Sequence, residues 1–205
     1  MNSEMFLEIQ DYYRKRIMEF GSTAKGVDWN SEKSQVQRFE KLIEFLSLDK
    51  ADSVLDFGCG YGAFLDYLKN KNLFPKYTGV DIVEEMINLA TLRQPNEASR
   101  FFTTLPFNQN WDYVILSGIF NIKGSTSIQE WENYLTHTLD LLFTKARKGL
   151  SFNLLTSKND LNRRKQNLYY SDPDKISSII NINPPYTLII DHSYELFEFT
   201  VTILK

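Results

Sequence analysis

The sequence of 205 residues predicts an α/β fold built on a doubly wound, mostly parallel seven-stranded sheet. Three observations predict it. From Ser53 onward, apolar strand segments alternate with helical segments, which is the pattern of a parallel sheet. A glycine-rich turn directly follows the first strand. The last two strand segments are joined by a connection too short for a crossover helix, which predicts a C-terminal antiparallel hairpin.

Two amphipathic helices are predicted ahead of the first strand. Apolar side chains recur at helical spacing over the first twenty residues. Asn30 is predicted to cap a second helix that has its own apolar side. We therefore expect residues 1–47 to form an N-terminal helical extension or lid, and residues 48–205 to form the sheet domain.

Within the sheet domain, strands are predicted to alternate with helices, except that no helix is predicted between the third and fourth strands. The strands are predicted at Ser53–Asp56, Tyr77–Asp81, Arg100–Phe102, Trp111–Leu116 and Gly149–Leu155. The intervening helices are predicted at Ala63–Asn70, Glu84–Gln94 and Gln129–Ala146. Such an order places helices on both faces of a parallel sheet and gathers the carboxyl ends of the strands at one edge.

The terminal hairpin is predicted from Tyr186–His192 and Leu196–Leu204. Its two strands must pair antiparallel because of their short connection. The first of them is expected to run parallel to the main sheet. Its carboxyl end, with His192, should therefore lie at the same edge as the glycine-rich turn.

The segment that carries most functional information is Val54-Leu55-Asp56-Phe57-Gly58-Cys59-Gly60-Tyr61-Gly62. Glycines allow the sharp turn after the strand, and they let a ligand approach closer than a Cβ would permit. The next strand ends in Asp81, whose carboxylate can accept both ribose hydroxyls of an adenosine. Together the two motifs predict a nucleoside-cofactor site at the carboxyl edge of the sheet.

The acidic residue two positions before the first glycine, Asp56, distinguishes between two classes of cofactor. Gly58, Gly60 and Ala63 fit the dinucleotide fingerprint, so a nicotinamide oxidoreductase is one interpretation. A carboxylate at Asp56, however, would repel the pyrophosphate of a dinucleotide. Asp56 suits a cofactor with a cationic end, such as the sulfonium and ammonium groups of S-adenosylmethionine, and the terminal hairpin also disfavours an oxidoreductase.

The motifs from Val54 to Gly62 and from Tyr77 to Ile82 resemble those of the class I S-adenosylmethionine-dependent methyltransferases, of the small-molecule type. The resemblance covers Leu48 to Lys205. It implies a Rossmann-like methyltransferase fold with S-adenosylmethionine as cofactor and S-adenosylhomocysteine as product. It also implies methyl transfer by in-line displacement to an oxygen or nitrogen nucleophile.

The resemblance further implies that the Asp56–Gly62 loop and Asp81 hold the cofactor. Asp56 would lie near the methionine amino group, and Ile82 would lie against adenine. The family's acid after the third strand is missing here, so a threonine hydroxyl or a backbone carbonyl would replace it. The candidate cofactor-binding residues are Trp29, Arg38, Asp56, Phe57, Gly58, Cys59, Gly60, Tyr61, Asp81, Ile82, Met86, Ser117 and Gly118.

Several of these candidates have a structural alternative. Trp29 and Arg38 are interpreted as closing over the cofactor, yet Trp29 could equally be a hydrophobic staple for the second helix. Met86 could reach the adenine edge or belong to the core. Cys59 is interpreted as a small packing residue within the loop, and Ser117 leaves room for the methionyl group.

The catalytic candidates are His192, Tyr194 and Asn121. A general base is useful only when the acceptor is a hydroxyl. Asn121 follows the fourth strand, where the family places residues that face both cofactor and acceptor, whereas His192 and Tyr194 could instead order the hairpin turn. The other histidine, His137, falls on a polar helical stripe and is interpreted as a solvated surface residue.

Composition bounds the partners of the protein. A net charge of −3 argues against nucleic-acid binding, and the single cysteine fits a reducing compartment. No signal peptide, membrane span or metal site is predicted, so we expect a cytoplasmic enzyme with a small-molecule acceptor. Methylation of a protein or RNA and a non-catalytic S-adenosylmethionine-binding scaffold remain alternatives. The sequence does not decide the acceptor or the oligomeric state.

Overall fold

The computed structural model describes residues 3–158, 161–180 and 182–205, with all side chains except those of residues 3, 98, 99 and 163. The helices are α1 (Ser3–Phe20), α2 (Glu32–Ile43), α3 (Ala63–Asn70), α4 (Glu84–Arg93), α5 (Ile128–Lys145) and α6 (Ile176–Ile179). The strands are β1 (Ser53–Phe57), β2 (Lys76–Val80), β3 (Phe101–Phe102), β4 (Trp111–Leu116), β5 (Ala146–Thr156), β6 (Tyr170–Ser171), β7 (Thr187–Asp191) and β8 (Glu198–Leu204).

The strands form one sheet in the order β3-β2-β1-β4-β5-β8-β7. Strands β1 to β5 pair in parallel, and β8 pairs antiparallel with both β5 and β7. The predicted fold class is therefore confirmed, including the C-terminal hairpin. The chain leaves β1 toward β2 and β3 and then returns to place β4 on the other side of β1. This reversal opens a crevice at the carboxyl ends of β1 and β4, where open α/β sheets bind ligands.

Besides shifts of one to three residues in several element bounds, two details differ from the prediction. A short strand, β6, pairs in parallel with the end of β5 and makes the sheet eight-stranded. Its two residues are too few to show any periodicity in the sequence. Helix α2 is capped by Ser31 rather than Asn30. The Ser31 hydroxyl accepts a hydrogen bond from the backbone amide of Ser34, and the Ser34 hydroxyl accepts one from the backbone amide of Ser31.

The apolar core lies on both faces of the sheet. On one face α5 packs over the central strands, and its fully buried Trp131 donates a hydrogen bond from the indole to the Phe120 carbonyl at 3.0 Å. On the other face α2 and α3 bring Phe39 and Phe64 together at a ring separation of 5.2 Å. Covering both faces buries the parallel strands completely, as such sheets require.

A buried hydrogen bond between β2 and β4 offers a test of this core. The indole nitrogen of Trp111, which is 0% exposed, donates to the Thr78 hydroxyl at 3.0 Å. Thr78→Val keeps the side-chain shape but leaves the indole N–H without a partner, which should lower the free energy of unfolding by about 1–3 kcal/mol. Urea denaturation measures the change. The matched control is Thr187→Val at an exposed position of β7, which should stay within about 0.5 kcal/mol of the wild type. Equal effects of the two substitutions would contradict a stabilising role for the bond.

Candidate active site at the carboxyl edge of the sheet

A cavity of about 380 Å³ lies at the crevice between β1 and β4. This volume falls within the range of small-molecule binding sites. Its walls come from the loops that follow β1, β2, β3 and β4, from α1 and α5, and from the segment leading into α2. Most of the lining side chains are apolar, so the few polar groups among them determine what the cavity can recognise.

The loop after β1 has the backbone that its glycines predict. Gly58, Gly60 and Gly62 have φ angles of 86°, 53° and 84°, in the left-handed region that side chains disfavour. The amides of Gly58 and Cys59 both donate to the Val80 carbonyl, at 2.7 and 3.0 Å. The loop is thereby fastened to the end of β2.

Side chains of the protein itself lie close to the backbone at Gly58 and Gly60. A Cβ on Gly58 would overlap Cγ2 of Ile119, and one on Gly60 would lie 3.1 Å from Cγ1 of Val27. Neighbouring side chains of the protein thus require glycine at these positions, and the close approach of the cofactor to the backbone stays a prediction. Cys59 is buried and burial raises the pKa of its thiol, which fits the packing role expected for it.

Asp56 is a buried carboxylate at the floor of the cavity. It is 1% exposed, and Oδ2 accepts a hydrogen bond of 2.6 Å from the Tyr77 hydroxyl. Burial raises the pKa of Asp56 to about 7, and the nearby charge of Asp81 acts in the same direction. A positively charged group in the cavity would offset the cost of ionising this carboxylate.

Asp81 joins the loops after β1 and β2. Its Oδ2 accepts from the Gly60 amide and its Oδ1 from the Val83 amide, both at 2.9 Å. Burial raises the pKa of Asp81 to about 6, although these hydrogen bonds favour the ionised form. Each carboxylate oxygen has a second lone pair, so Asp81 can accept two further hydrogen bonds from the cavity. That is the acceptor pattern required by two adjacent ribose hydroxyls.

The structure brings nearly all predicted cofactor-binding residues together. Those that line the cavity are Trp29, Asp56, Phe57, Gly58, Cys59, Gly60, Tyr61, Asp81, Ile82, Met86, Ser117 and Gly118. Thr103 and Thr104, which follow β3 in place of the missing acid, also line it. Met86 is only 1% exposed and packs against Tyr61, so it belongs to the core as well as to the cavity wall.

Arg38 is the exception among them, because it does not line the cavity. Its Nε lies 2.6 Å from Oε1 of Glu198, and its Nη1 donates to the Ser34 carbonyl at 2.7 Å. The guanidinium carbon lies 3.9 Å above the ring of Trp29. The expected direct contact between Arg38 and the cofactor has no support in this placement, because Arg38 meets the cavity wall only through Trp29.

The three predicted catalytic residues also lie outside the cavity lining. His192 is exposed and stacks on Phe199, with ring centroids 5.6 Å apart. The Tyr194 hydroxyl hydrogen bonds to Thr200 at 2.8 Å. Strand β7 is indeed parallel to the main sheet, but it is separated from β4 by β5 and β8. Three strand spacings amount to about 14 Å, which removes the His192 end of β7 from the crevice.

Asn121 lies closer to the site but is turned into the protein. It is 5% exposed. Its backbone amide donates to the Gly118 carbonyl at 3.2 Å, and its backbone carbonyl accepts from the Tyr169 amide at 2.9 Å. These bonds make Asn121 part of the turn that follows β4. The predicted catalytic role for it has no support in this placement.

Sequence analysis missed the residues that α1 and α5 contribute. From α5 the cavity receives Tyr134, His137, Thr138 and Leu141, and among the described lining residues His137 has the one imidazole. His137 is exposed, as expected, but it lies at the rim of the cavity. The spacing of three or four residues between these side chains was the available signal. It was obscured because polar residues share the same stretch of helix.

Helix α1 covers the cavity from outside. It contributes Phe6, Ile9 and Tyr13 to the lining. Burial raises the pKa of the Tyr13 hydroxyl, and the negative charges of Asp28 and Asp81 act in the same direction, which keeps this hydroxyl protonated. A protonated phenol near Asp81 adds a hydrogen-bond donor to a side of the cavity that otherwise presents a carboxylate.

Three polar contacts hold α1 in this position. The Gln10 amide donates to the Ile82 carbonyl at 2.8 Å, and Arg14 pairs with Glu85 at 2.6 Å. The Glu8 carboxylate accepts from the Ser125 amide and hydroxyl. All three partners belong to loops at the carboxyl edge of the sheet or to the first turn of α4.

Neither a metal centre nor a transmembrane helix is found in the described part of the chain. Residues 3–158, 161–180 and 182–205 contain no group of three or more His, Cys, Asp or Glu side chains arranged to hold a metal ion. No helix within these ranges combines the length and the apolar character needed to cross a bilayer.

Comparison with known proteins agrees with the motifs and the geometry. Residues 31–183 match the family described as "Methyltransferase domain". A relative in Mycobacterium tuberculosis (strain ATCC 25618 / H37Rv), named "Putative methyltransferase Rv1506c", is 37% identical over 154 residues, which are 75% of this chain and 93% of the relative.

Solved structures share the fold at lower identity. Magnesium protoporphyrin IX methyltransferase from Synechocystis PCC 6803, with bound S-adenosylhomocysteine, superposes with a TM-score of 0.62 at 16% identity, over 84% of each chain. Phosphoethanolamine N-methyltransferase 1 from Haemonchus contortus, in complex with phosphoethanolamine and S-adenosylhomocysteine, gives a TM-score of 0.68 at 10% identity. That match covers 100% of this chain and 50% of the other.

The match over most of the chain, the identity to the mycobacterial relative and the shared fold lead to the same conclusion. The chain belongs to the class I S-adenosylmethionine-dependent methyltransferase family.

Proposed function

We propose that the protein transfers the methyl group of S-adenosylmethionine to an oxygen or nitrogen of a small, mainly apolar molecule. One observation carries the proposal: a single cavity is lined both by two carboxylates, Asp56 and Asp81, and by apolar side chains, which include those of α1 and α5. We assign the carboxylates to a charged nucleoside and the apolar part of the lining to the acceptor. Both partners of the reaction would then lie in one water-excluding space.

The polar groups of the cavity fit the cofactor. Asp56 is a buried carboxylate that accepts a hydrogen bond from Tyr77, and it suits the cationic methionyl end. Asp81 has lone pairs left for the two ribose hydroxyls. Ile82, at the start of the next loop, provides an apolar surface for adenine. These roles are assigned by chemical complementarity.

The part of the cavity assigned to the acceptor is framed by apolar and aromatic side chains. Phe6 packs edge to face on Tyr134 at a ring separation of 5.5 Å, which brings α1 and α5 together there. Leu105, Phe107 and Leu141 complete the frame. Walls of this kind favour an aromatic or aliphatic body and disfavour a highly charged one, because burying an unpaired charge is costly.

The task of the protein in such a reaction is mostly alignment. Bound S-adenosylmethionine supplies a methyl group on a positively charged sulfur, and that charge is lost as the methyl group leaves. Apolar walls around the acceptor exclude water and hold the nucleophile in line with the methyl group. If the acceptor is a hydroxyl, His137 at the rim is the side chain placed to take its proton.

We further propose that residues 1–47 act as a lid over the site. Helix α1 covers the cavity through exposed contacts such as Arg14 to Glu85, in which both side chains are about two-fifths accessible. Exposed ion pairs contribute little to stability, so the cost of moving α1 comes mainly from its buried apolar side chains, such as Met5 and Ile9. Such a lid gives ligands a route into a cavity that is otherwise covered.

Two alternative functions have less support. A macromolecular acceptor, protein or RNA, would have to reach past α1, and the net charge of −3 does not favour RNA. A scaffold without catalysis would use Asp56 and Asp81 for the same cofactor, so these carboxylates do not separate it from an enzyme. It would have no use for the apolar part of the cavity, which an acceptor would occupy.

Binding experiments test the cofactor first and the acceptor second. Calorimetric titration with S-adenosylmethionine, S-adenosylhomocysteine and NAD should show one saturable site for the two adenosyl ligands and none for NAD. A screen of small aromatic and aliphatic nucleophiles with methyl-labelled donor then identifies the acceptor class. Binding of NAD alone would refute the assignment of the cavity, and transfer only to RNA or protein would refute the proposed acceptor.

Removing the Asp81 carboxylate should weaken cofactor binding. Asp81→Ala removes charge-assisted hydrogen bonds of about 1.5–3 kcal/mol, which is roughly a ten- to hundredfold loss of affinity for S-adenosylmethionine. Calorimetry measures the affinity, and thermal denaturation checks that the loops around Gly60 remain folded. Glu84→Ala, at an exposed neighbouring position, is the control. Unchanged affinity in Asp81→Ala would remove Asp81 from the ribose site.

Asp56 should make the unliganded protein less stable at high pH. Burial raises its pKa from 3.8 to about 7, so the folded chain holds this proton more tightly than the unfolded chain. Its favourable contribution is therefore complete below about pH 4 and is lost as the pH rises through 7. Asp56→Asn keeps an acceptor for Tyr77, and it should stabilise the unliganded protein at pH 8 by on the order of 2 kcal/mol. Thermal denaturation at pH 5 and pH 8 measures this difference.

The same substitution should have the opposite effect on binding. Wild-type affinity for S-adenosylmethionine should fall between pH 8 and pH 6 as Asp56 takes up a proton. Asp56→Asn should bind more weakly at pH 8 and lose this part of the pH dependence, whereas Glu84→Gln should behave like the wild type. Wild-type affinity in Asp56→Asn at pH 8 would show that the carboxylate does not recognise the cationic end of the cofactor.

The two histidines should differ in the methyl-transfer assay. His137→Ala should leave S-adenosylmethionine affinity unchanged and lower turnover of a hydroxyl acceptor by about a hundredfold, the usual contribution of a general base. His192→Ala, on the outer strand, should keep wild-type turnover. The reverse result would restore His192 as the catalytic histidine and remove His137 from the site.

A further inference from the structure

Arg38 and Glu198 form an ion pair that is almost completely buried. Their side chains are 7% and 0% exposed, and Nε of Arg38 lies 2.6 Å from Oε1 of Glu198. The pair joins α2, in the N-terminal extension, to β8. Buried ion pairs add little net stability because both charges must leave water, so this pair calls for an explanation other than stability.

The Glu198 carboxylate continues this contact toward the cavity. Its other oxygen, Oε2, accepts a hydrogen bond of 2.6 Å from Nδ2 of Asn153 in β5. The Oδ1 of Asn153 in turn accepts from the Gly118 amide at 2.7 Å. Since a trans peptide directs its carbonyl opposite to its N–H, fixing the Gly118 amide also fixes the carbonyl of Ser117.

Arg38 is also connected to Gly118 by a second route, through Trp29. Its guanidinium carbon lies 3.9 Å over the indole, and a hydrogen bond of 2.7 Å to the Ser34 carbonyl orients the guanidinium plane. The far carbons of the indole, Cζ2 and Cη2, lie 2.5 Å from the position of a Cβ on Gly118. A side chain at Gly118 would therefore displace the indole.

These contacts form a closed network of five residues, which are Trp29, Arg38, Glu198, Asn153 and Gly118. Two of its members, Trp29 and Gly118, line the cavity, whereas the other three do not. Asn153 and Glu198 are both buried, so the polar connection between the two walls lies entirely inside the protein.

We propose that Arg38, Glu198 and Asn153 are positioning residues for methyl transfer, because they hold the Trp29 indole and the Gly118 peptide as two adjoining walls of the cavity. The assignment of the ligand rests on the proposed function, whereas the network itself does not. Arginine suits its position because a planar guanidinium can stack on an indole while it pairs with a carboxylate, which lysine cannot do.

A misplaced wall should weaken ligand binding even where the fold is intact. Methyl transfer depends on alignment, and small displacements of positioning groups have large effects on it. The network would thus link the N-terminal extension to the end of β4. It also gives Arg38 a role that needs no contact with the ligand.

The test removes both charges together so that no unpaired charge is left behind. Arg38→Leu combined with Glu198→Gln should keep a melting temperature close to that of the wild type. Its affinity for S-adenosylhomocysteine, measured by calorimetry, should fall about tenfold. Trp29 emission, obtained by subtracting the spectrum of Trp29→Phe, should shift to longer wavelength, because the indole loses the guanidinium that covers it.

The matched control is an exposed ion pair that also involves α2. Glu40 and Lys71 lie 3.0 Å apart, and their side chains are 48% and 49% exposed. Glu40→Gln combined with Lys71→Leu should leave the melting temperature, the S-adenosylhomocysteine affinity and the Trp29 emission unchanged. A loss of affinity in this control equal to that in the test variant would overturn the proposal.

A second variant covers the case in which the paired substitution does not fold. Trp29→Leu alters a half-buried side chain, so it should fold, and it should bind S-adenosylhomocysteine about tenfold more weakly. Wild-type affinity in Trp29→Leu overturns the proposal, as does a paired variant that melts earlier but binds normally. If the wild type itself binds no S-adenosylhomocysteine, the proposed function fails. Unchanged Trp29 emission in the paired variant separately refutes the network.

Discussion

The site depends on the hydrogen bonds that fasten the loop after β1 to the end of β2. The Val80 carbonyl accepts from two successive amides of the glycine loop, and the Asp81 carboxylate accepts from a third. These bonds satisfy donors that would otherwise point into a buried crevice. They also hold Asp56 and Asp81 at the wall of one cavity before any ligand arrives, so binding does not have to order the loops.

Holding two carboxylates in a mainly apolar cavity has a consequence for stability. Burial raises the pKa of both Asp56 and Asp81, so ionising them lowers the free energy of unfolding. A bound cationic cofactor would offset part of this loss, so the stability of the protein would depend on whether the cofactor is bound. The same coupling favours positively charged ligands over the pyrophosphate of a dinucleotide.

The N-terminal helices contribute to the cavity together with the sheet. Helix α1 covers the cavity and contributes aromatic side chains, while Trp29 and α2 connect the extension to β4 and β8 through Arg38. In the proposed function, the acceptor contacts side chains of α1, α5 and the segment after β3. A fold does not by itself determine chemistry, so the choice of acceptor depends on such side chains rather than on the sheet.

The sequence alone determined the strand, glycine loop and helix around Asp56, the acid at Asp81 and the terminal hairpin, because each is encoded by spacing within a short segment. It also placed His192 at the correct edge of the sheet. Only the tertiary structure decided that His192 is remote and His137 near, because lateral position depends on strand order. It likewise paired Arg38 with Glu198 and put Ile119 beside Gly58, since contacts between residues distant in the chain leave no periodic signal in the sequence.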